Sequence, residues 1–113
     1  MEEELERTRI GSLFRRHATV EAGGVVFKLR RMSLKEELEW IARREAILAD
    51  QSKTREEKVV DIWGDLLKRV VEEPRLEDPV EELPATVVSA LLAEIEKLHL
   101  WDLPLAHSQR ASR

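Results

Sequence analysis

Thr54-Arg55-Glu56-Glu57-Lys58-Val59-Val60-Asp61-Ile62-Trp63-Gly64-Asp65-Leu66-Leu67-Lys68-Arg69-Val70-Val71 is the stretch that decides the fold. It opens on a capping box, in which the Thr54 hydroxyl and the Glu57 carboxylate satisfy backbone N–H groups left free at a helix start. From Val59 to Val71 the apolar positions cover about half the circumference of a helix, at roughly 100° per residue. So wide a stripe predicts a helix packed against two neighbours, at the centre of the domain, with Trp63 inside the core.

Upstream the signals change period. Gly23-Gly24 supplies the positive φ that a two-residue hairpin turn needs. Val25, Phe27 and Leu29 then alternate with Val26, Lys28 and Arg30, the period-two pattern of a half-buried strand. A small β-hairpin is expected over 19–32, after a lead-in over 1–18, with Lys28, Arg30 and Arg31 on a solvated outer face. Ser33-Leu34-Lys35-Glu36 is another capping box. The helix it starts is expected to reach Ala49, burying a face made of Leu34, Leu38, Ile41, Ala42 and Leu48.

Downstream, Pro74 is expected to stop the central helix. Asp78-Pro79-Val80-Glu81 can cap one helical turn, and Pro84 opens a last helix bearing Val87, Val88, Leu91, Leu92, Ile95 and Leu98. The fold class is mainly α: one domain, a small N-terminal hairpin followed by a bundle of three to four helices over 33–100, and a tail over 101–113 whose end, Ser108 to Arg113, is polar and basic.

Composition narrows the function. The 113 residues are 37% charged, yet the net charge is only −4. A nucleic-acid protein usually carries a basic surplus, so nucleic acid is not expected as partner. There is no cysteine, and no apolar run approaches the roughly 20 residues of a membrane span. The acidic start, Met1-Glu2-Glu3-Glu4, is unlike a signal peptide, so an intracellular, cytoplasmic protein is expected. Asparagine is absent and Glu and Arg dominate the charges, a bias shared by thermophile proteins and by high-GC codon usage. His17, His99 and His107 lie far apart in sequence, without metal-ligand spacing, and are read as incidental. No catalytic, cofactor-binding or metal residue is assigned.

The tryptophans point instead to protein binding. Trp40 lies roughly 120° or more from Leu34 and Leu38 and about 100° from Ile41, and Ile47 falls on the same outer face beside Arg43 and Arg44. Either the N-terminal segment, with Leu13 and Phe14, folds over that face, or it is a contact surface, since Trp and Arg are favoured at interface centres. Trp101 presents the same choice, weighted toward docking on its own fold. The interface candidates are therefore Trp40, Ile47, Arg43, Arg44 and Trp101.

The order of elements adds a resemblance. A basic strand runs straight into a capped helix (Phe27-Lys28-Leu29-Arg30-Arg31-Met32-Ser33-Leu34-Lys35-Glu36-Glu37-Leu38), and Pro79-Val80-Glu81-Glu82-Leu83-Pro84 leads into Val87-Val88-Ser89-Ala90-Leu91-Leu92-Ala93-Glu94-Ile95. Over residues 25–98 this resembles the tail assembly chaperones of long-tailed bacteriophages. The resemblance implies a homo-oligomeric, non-enzymatic chaperone that coats the tape measure protein while tail tube subunits polymerise around it. It also implies a longer form, made by ribosomal frameshifting near the end of the short one. The other functions open to such a chain are a small nucleic-acid-associated regulator, using Arg15-Arg16 and the basic strand, and a phage structural or scaffold accessory subunit.

Overall fold

In a computed structural model the described residues are 14–101. Strands β1 (His17–Ala22) and β2 (Val25–Arg30) form the expected hairpin, with Val20 opposite Phe27 and Ala22 opposite Val25. Gly23 and Gly24, at φ +60° and +79°, make a turn that only glycine adopts without strain. Helix α1 spans Leu34–Ala49 and α2 spans Arg55–Val70, and both predicted capping boxes are formed. A single turn, α3 (Pro79–Glu82), and the last helix, α4 (Ala85–Leu98), complete the order. The fold is mainly α with a small sheet, as the sequence predicts.

The sheet has one strand more than expected. Rather than continuing α2 to the proline, Val71 turns extended and starts β3 (Val71–Glu73), which pairs antiparallel with β2 around a bulge at Lys28 and Leu29. Burying Val71 against Leu29 outweighs one more helical residue, and paired β-branched residues favour the strand. A cis Glu73–Pro74 peptide follows.

The core lies between the sheet, α2 and α4: Phe27 and Leu29 from β2, Leu67 and Val70 from α2, Leu91 and Ile95 from α4 are nearly or fully inaccessible. The central position of α2 holds for Ile62, Leu66, Leu67 and Val70. It does not hold for Val59, Val60 and Trp63, which are exposed; Trp63 is not core.

Helix α1 is rotated about its axis from the expected setting. Trp40 and Ile47, assigned to the outside, are 6% and 5% exposed, whereas Leu34, Leu38 and Leu48 are 74%, 56% and 52% exposed. Ala42 is exposed too, and Ile41 is partly buried. The rotation has a local cause. Glu36 accepts two bonds from the Arg30 guanidinium (2.9 and 2.7 Å) and another from the Ser33 N–H (3.0 Å). Arg30 also donates to the Arg69 carbonyl at 3.1 Å. Position 36 is thereby tied to the sheet and to the end of α2. At 100° per residue, positions 40 and 47 lie within about 40° of position 36 and turn inward with it.

Candidate functional site

Trp40, brought inward, meets Trp101. Their rings stack with centroids 5.2 Å apart and planes 14° from parallel. Trp101 also stacks on the His99 ring at 4.7 Å, and the Arg44 guanidinium lies 5.2 Å from the Trp40 centroid. Arg44, Trp40, Trp101 and His99 thus form one column joining α1 to the end of α4, a geometry in which cation–π and offset stacking both contribute.

Two backbone devices place Trp101. Leu100 takes φ +62°, while Leu100 N–H bonds the Lys97 carbonyl (3.2 Å) and Trp101 N–H bonds the Glu96 carbonyl (2.9 Å). That pair of bonds is a Schellman cap, which folds the residue after the left-handed position back onto its helix. The Trp101 indole N–H then donates to Glu37 of α1 at 2.7 Å.

His99 is not incidental. It is 8% exposed, receives the Met32 N–H on Nε2 at 2.9 Å, and places Nδ1 2.8 Å from the Ile95 carbonyl. These partners require a neutral ring protonated on Nδ1. Burial is the first cause that holds its pKa below the ordinary value. The residue staples the entry of α1 to the exit of α4.

Beside the column a cleft of about 490 Å³ opens between α1, α2 and α4. Trp40, Arg44 and Trp101 form one end, Ile62, Trp63 and Leu66 line the α2 wall, and Ser89, Leu92, Ala93 and Glu96 line the α4 wall. All three tryptophans border one groove. Two buried donors beside it, Trp40 Nε1 and Arg44 Nε, have no hydrogen-bond partner among the described residues. Buried polar groups are ordinarily paired; both of these atoms are closed to solvent.

Of the sequence-predicted interface residues, the groove gathers Trp40, Arg44 and Trp101. Ile47 belongs to the hydrophobic core, so its assignment to an outer face is corrected. Arg43 opens onto a different shallow cleft, with Asp61 and Asp65. Covering of Trp40 falls to Trp101; Phe14 is exposed and lies 5.9 Å from the Arg31 guanidinium, and Leu13 is outside the described residues. The wall residue Trp63 reads as core in the sequence because its neighbours one turn away on α2 are apolar in both directions, yet it is exposed.

The basic strand is largely committed to internal pairs: Arg30 to Glu36, and Lys28 to Glu72 at 3.6 Å. His17 also lies 3.7 Å from Glu72, whereas His107 is outside the described residues. Among the described residues, no three His, Asp or Glu side chains gather as metal ligands, and no helix is long and apolar enough to cross a membrane. No family model, curated protein or solved structure matches the chain.

Proposed function

We propose that this chain is an assembly chaperone of the phage tail type, which holds an amphipathic helix of a tape measure protein in the groove between α1, α2 and α4. The observation that carries the reading is the convergence of Trp40, Trp63 and Trp101 on one groove whose walls also carry Ile62, Leu66 and Leu92. A groove between helices takes an amphipathic helix through apolar anchors at i, i+3 or i+4, and i+7. Its aromatic walls supply area at low conformational cost, and Arg44 offers a partner to a client carbonyl or carboxylate. The resemblance over residues 25–98 implies a tape measure protein as client, tail tube subunits as a further partner and the host cytoplasm as the setting. Pairing of Arg30 and Lys28 inside the fold weighs against the nucleic-acid alternative.

Capture of tape measure segments on the immobilised chain, run beside a gel shift with random DNA, tests the reading. Helical segments of a phage tape measure protein are expected to be retained by the wild type. Leu92→Glu, at the half-buried α4 wall, is expected to lose them while keeping its circular dichroism. Capture indifferent to that substitution, or a DNA shift without capture, overturns the proposal.

A further inference from the structure

Both ring nitrogens of His99 are committed. Nδ1 donates to the Ile95 carbonyl at 2.8 Å and Nε2 accepts the Met32 N–H at 2.9 Å. A second proton can enter only at Nε2, because Nδ1 already carries one. It would set an N–H against the Met32 N–H, donor against donor, between two residues that are both buried. Burial opposes the imidazolium most, and Arg31 and Arg30, where β2 leaves for α1, act on the same side. The Ile95 carbonyl and Glu37 of α1 favour it, with less effect. The stack on Trp101 would favour a cation as well, but Trp101 stands two residues on and moves with the ring. The charged ring is therefore better accommodated in water than in place.

Little else holds the turn that carries it. Leu91 and Ile95 are fully inaccessible and anchor the body of α4, whereas beyond Leu98 the chain runs through the half-exposed, left-handed Leu100 to Trp101. Trp101 is held by its stacks on Trp40 and His99 and by its bond to Glu37. Segments with few buried contacts open at lower free energy than the fold as a whole. We propose that His99 is a proton-operated latch: a proton taken up on Nε2 frees the turn after α4, so that Trp101 leaves Trp40 and the end of the tryptophan groove comes apart while the rest of the domain stays folded. The opening itself does not depend on what occupies the groove. Its consequence, release of a bound helix on acidification, rests on the proposed function.

The stacked indoles of Trp40 and Trp101 give a coupled circular dichroism signal that reports the closed state. From about pH 7.5 to about pH 5 the full chain is expected to lose that signal, with a midpoint below the ordinary imidazole value of 6.5, and to keep its helical signal. His99→Gln, whose amide oxygen can take the Met32 N–H without titrating, is expected to keep the coupled signal throughout. His17→Gln is expected to behave as wild type. A wild-type signal constant over this range overturns the latch. So does coupled and helical signal falling together, or a loss that persists in His99→Gln. Should His99→Gln fail to fold, nuclear magnetic resonance of the wild type decides: the His99 ring and the Trp101 indole N–H are expected to titrate with one midpoint, and separate midpoints overturn the coupling. Capture of a tape measure segment is expected to fall at least about tenfold as the coupled signal is lost. Capture that survives that loss overturns the release. Absence of capture at pH 7.5 overturns the proposed function instead, and the coupled signal still decides the latch.

Discussion

Glu36 closes a two-pronged ion pair with Arg30 and, one turn before Trp40, sets which face of α1 looks inward. The same contact holds its carboxyl well below the usual range, at about 2, with the Arg30 hydrogen bond as the first cause.

A depressed carboxylate pKa stabilises the fold above the unfolded value and ceases to do so as pH falls toward the folded one. Arg30→Met is therefore expected to lower stability by about 1–2 kcal/mol at neutral pH. It should also flatten the loss of stability between pH 4.5 and about 2. Urea denaturation at a series of pH values checks both, and an unchanged acid limb shows that Glu36 is not the responsible group.

His99 acts in a separate window. Its folded pKa lies below the ordinary imidazole value of 6.5, so the unfolded chain binds the extra proton first. The stability is fully present above pH 6.5 and is lost as pH falls below it. His99→Leu is expected to flatten the pH 7.5-to-5 dependence of Tm relative to wild type. It should also cost about 1–3 kcal/mol at pH 7.5, because the buried Met32 N–H loses its acceptor. A variant that keeps the wild-type slope assigns the titration elsewhere.

The hairpin, both capping boxes, the proline-started turn and the last helix are legible in the sequence because each is written in neighbouring residues. The facing of α1 is not. Four apolar residues on one side outvote Trp40 and Ile47 in any periodicity count, and the Arg30–Glu36 tie that reverses the result joins two elements. Strand β3 escapes for a related reason: Val71 continues the helical stripe, and only its pairing with Leu29 makes it a strand. The groove is half legible, since Trp40, Arg44 and Trp101 stand out by residue type while the α4 wall reads as ordinary core.

The rotated helix divides the tryptophans by their effect on stability. Trp40→Ala, at a buried stacked site, is expected to cost about 3–5 kcal/mol. Trp63→Ala, at 45% exposure, is expected to stay within about 0.5 kcal/mol of wild type. Thermal melts of the two variants check the contrast, and equal losses would return Trp63 to the core. Loss of client capture in Trp63→Ala with its melt intact is the accompanying expectation of the groove reading.

Leu100 at φ +62° occupies a position that glycine fills at lower cost. Leu100→Gly is expected to raise stability by up to about 1 kcal/mol, the relief of left-handed strain partly offset by lost apolar contact and greater unfolded-state freedom. A lower Tm would mean that the half-exposed leucine packs more than it strains.

The staple from His99 to Met32 and the bond from Trp101 to Glu37 span 67 and 64 residues. Contacts of that separation form late, because the intervening loop must close before they repay its entropy. A chain leaving the ribosome therefore presents its hairpin and α1 long before the residues that cover Trp40 exist. Until His99 emerges the Met32 N–H lacks its acceptor within the chain, and until Trp101 follows the broad indole of Trp40 lacks its stacking partner. Completion of the fold thus waits on its last turn: a chain that ends before Trp101 leaves Trp40 without its stacking partner.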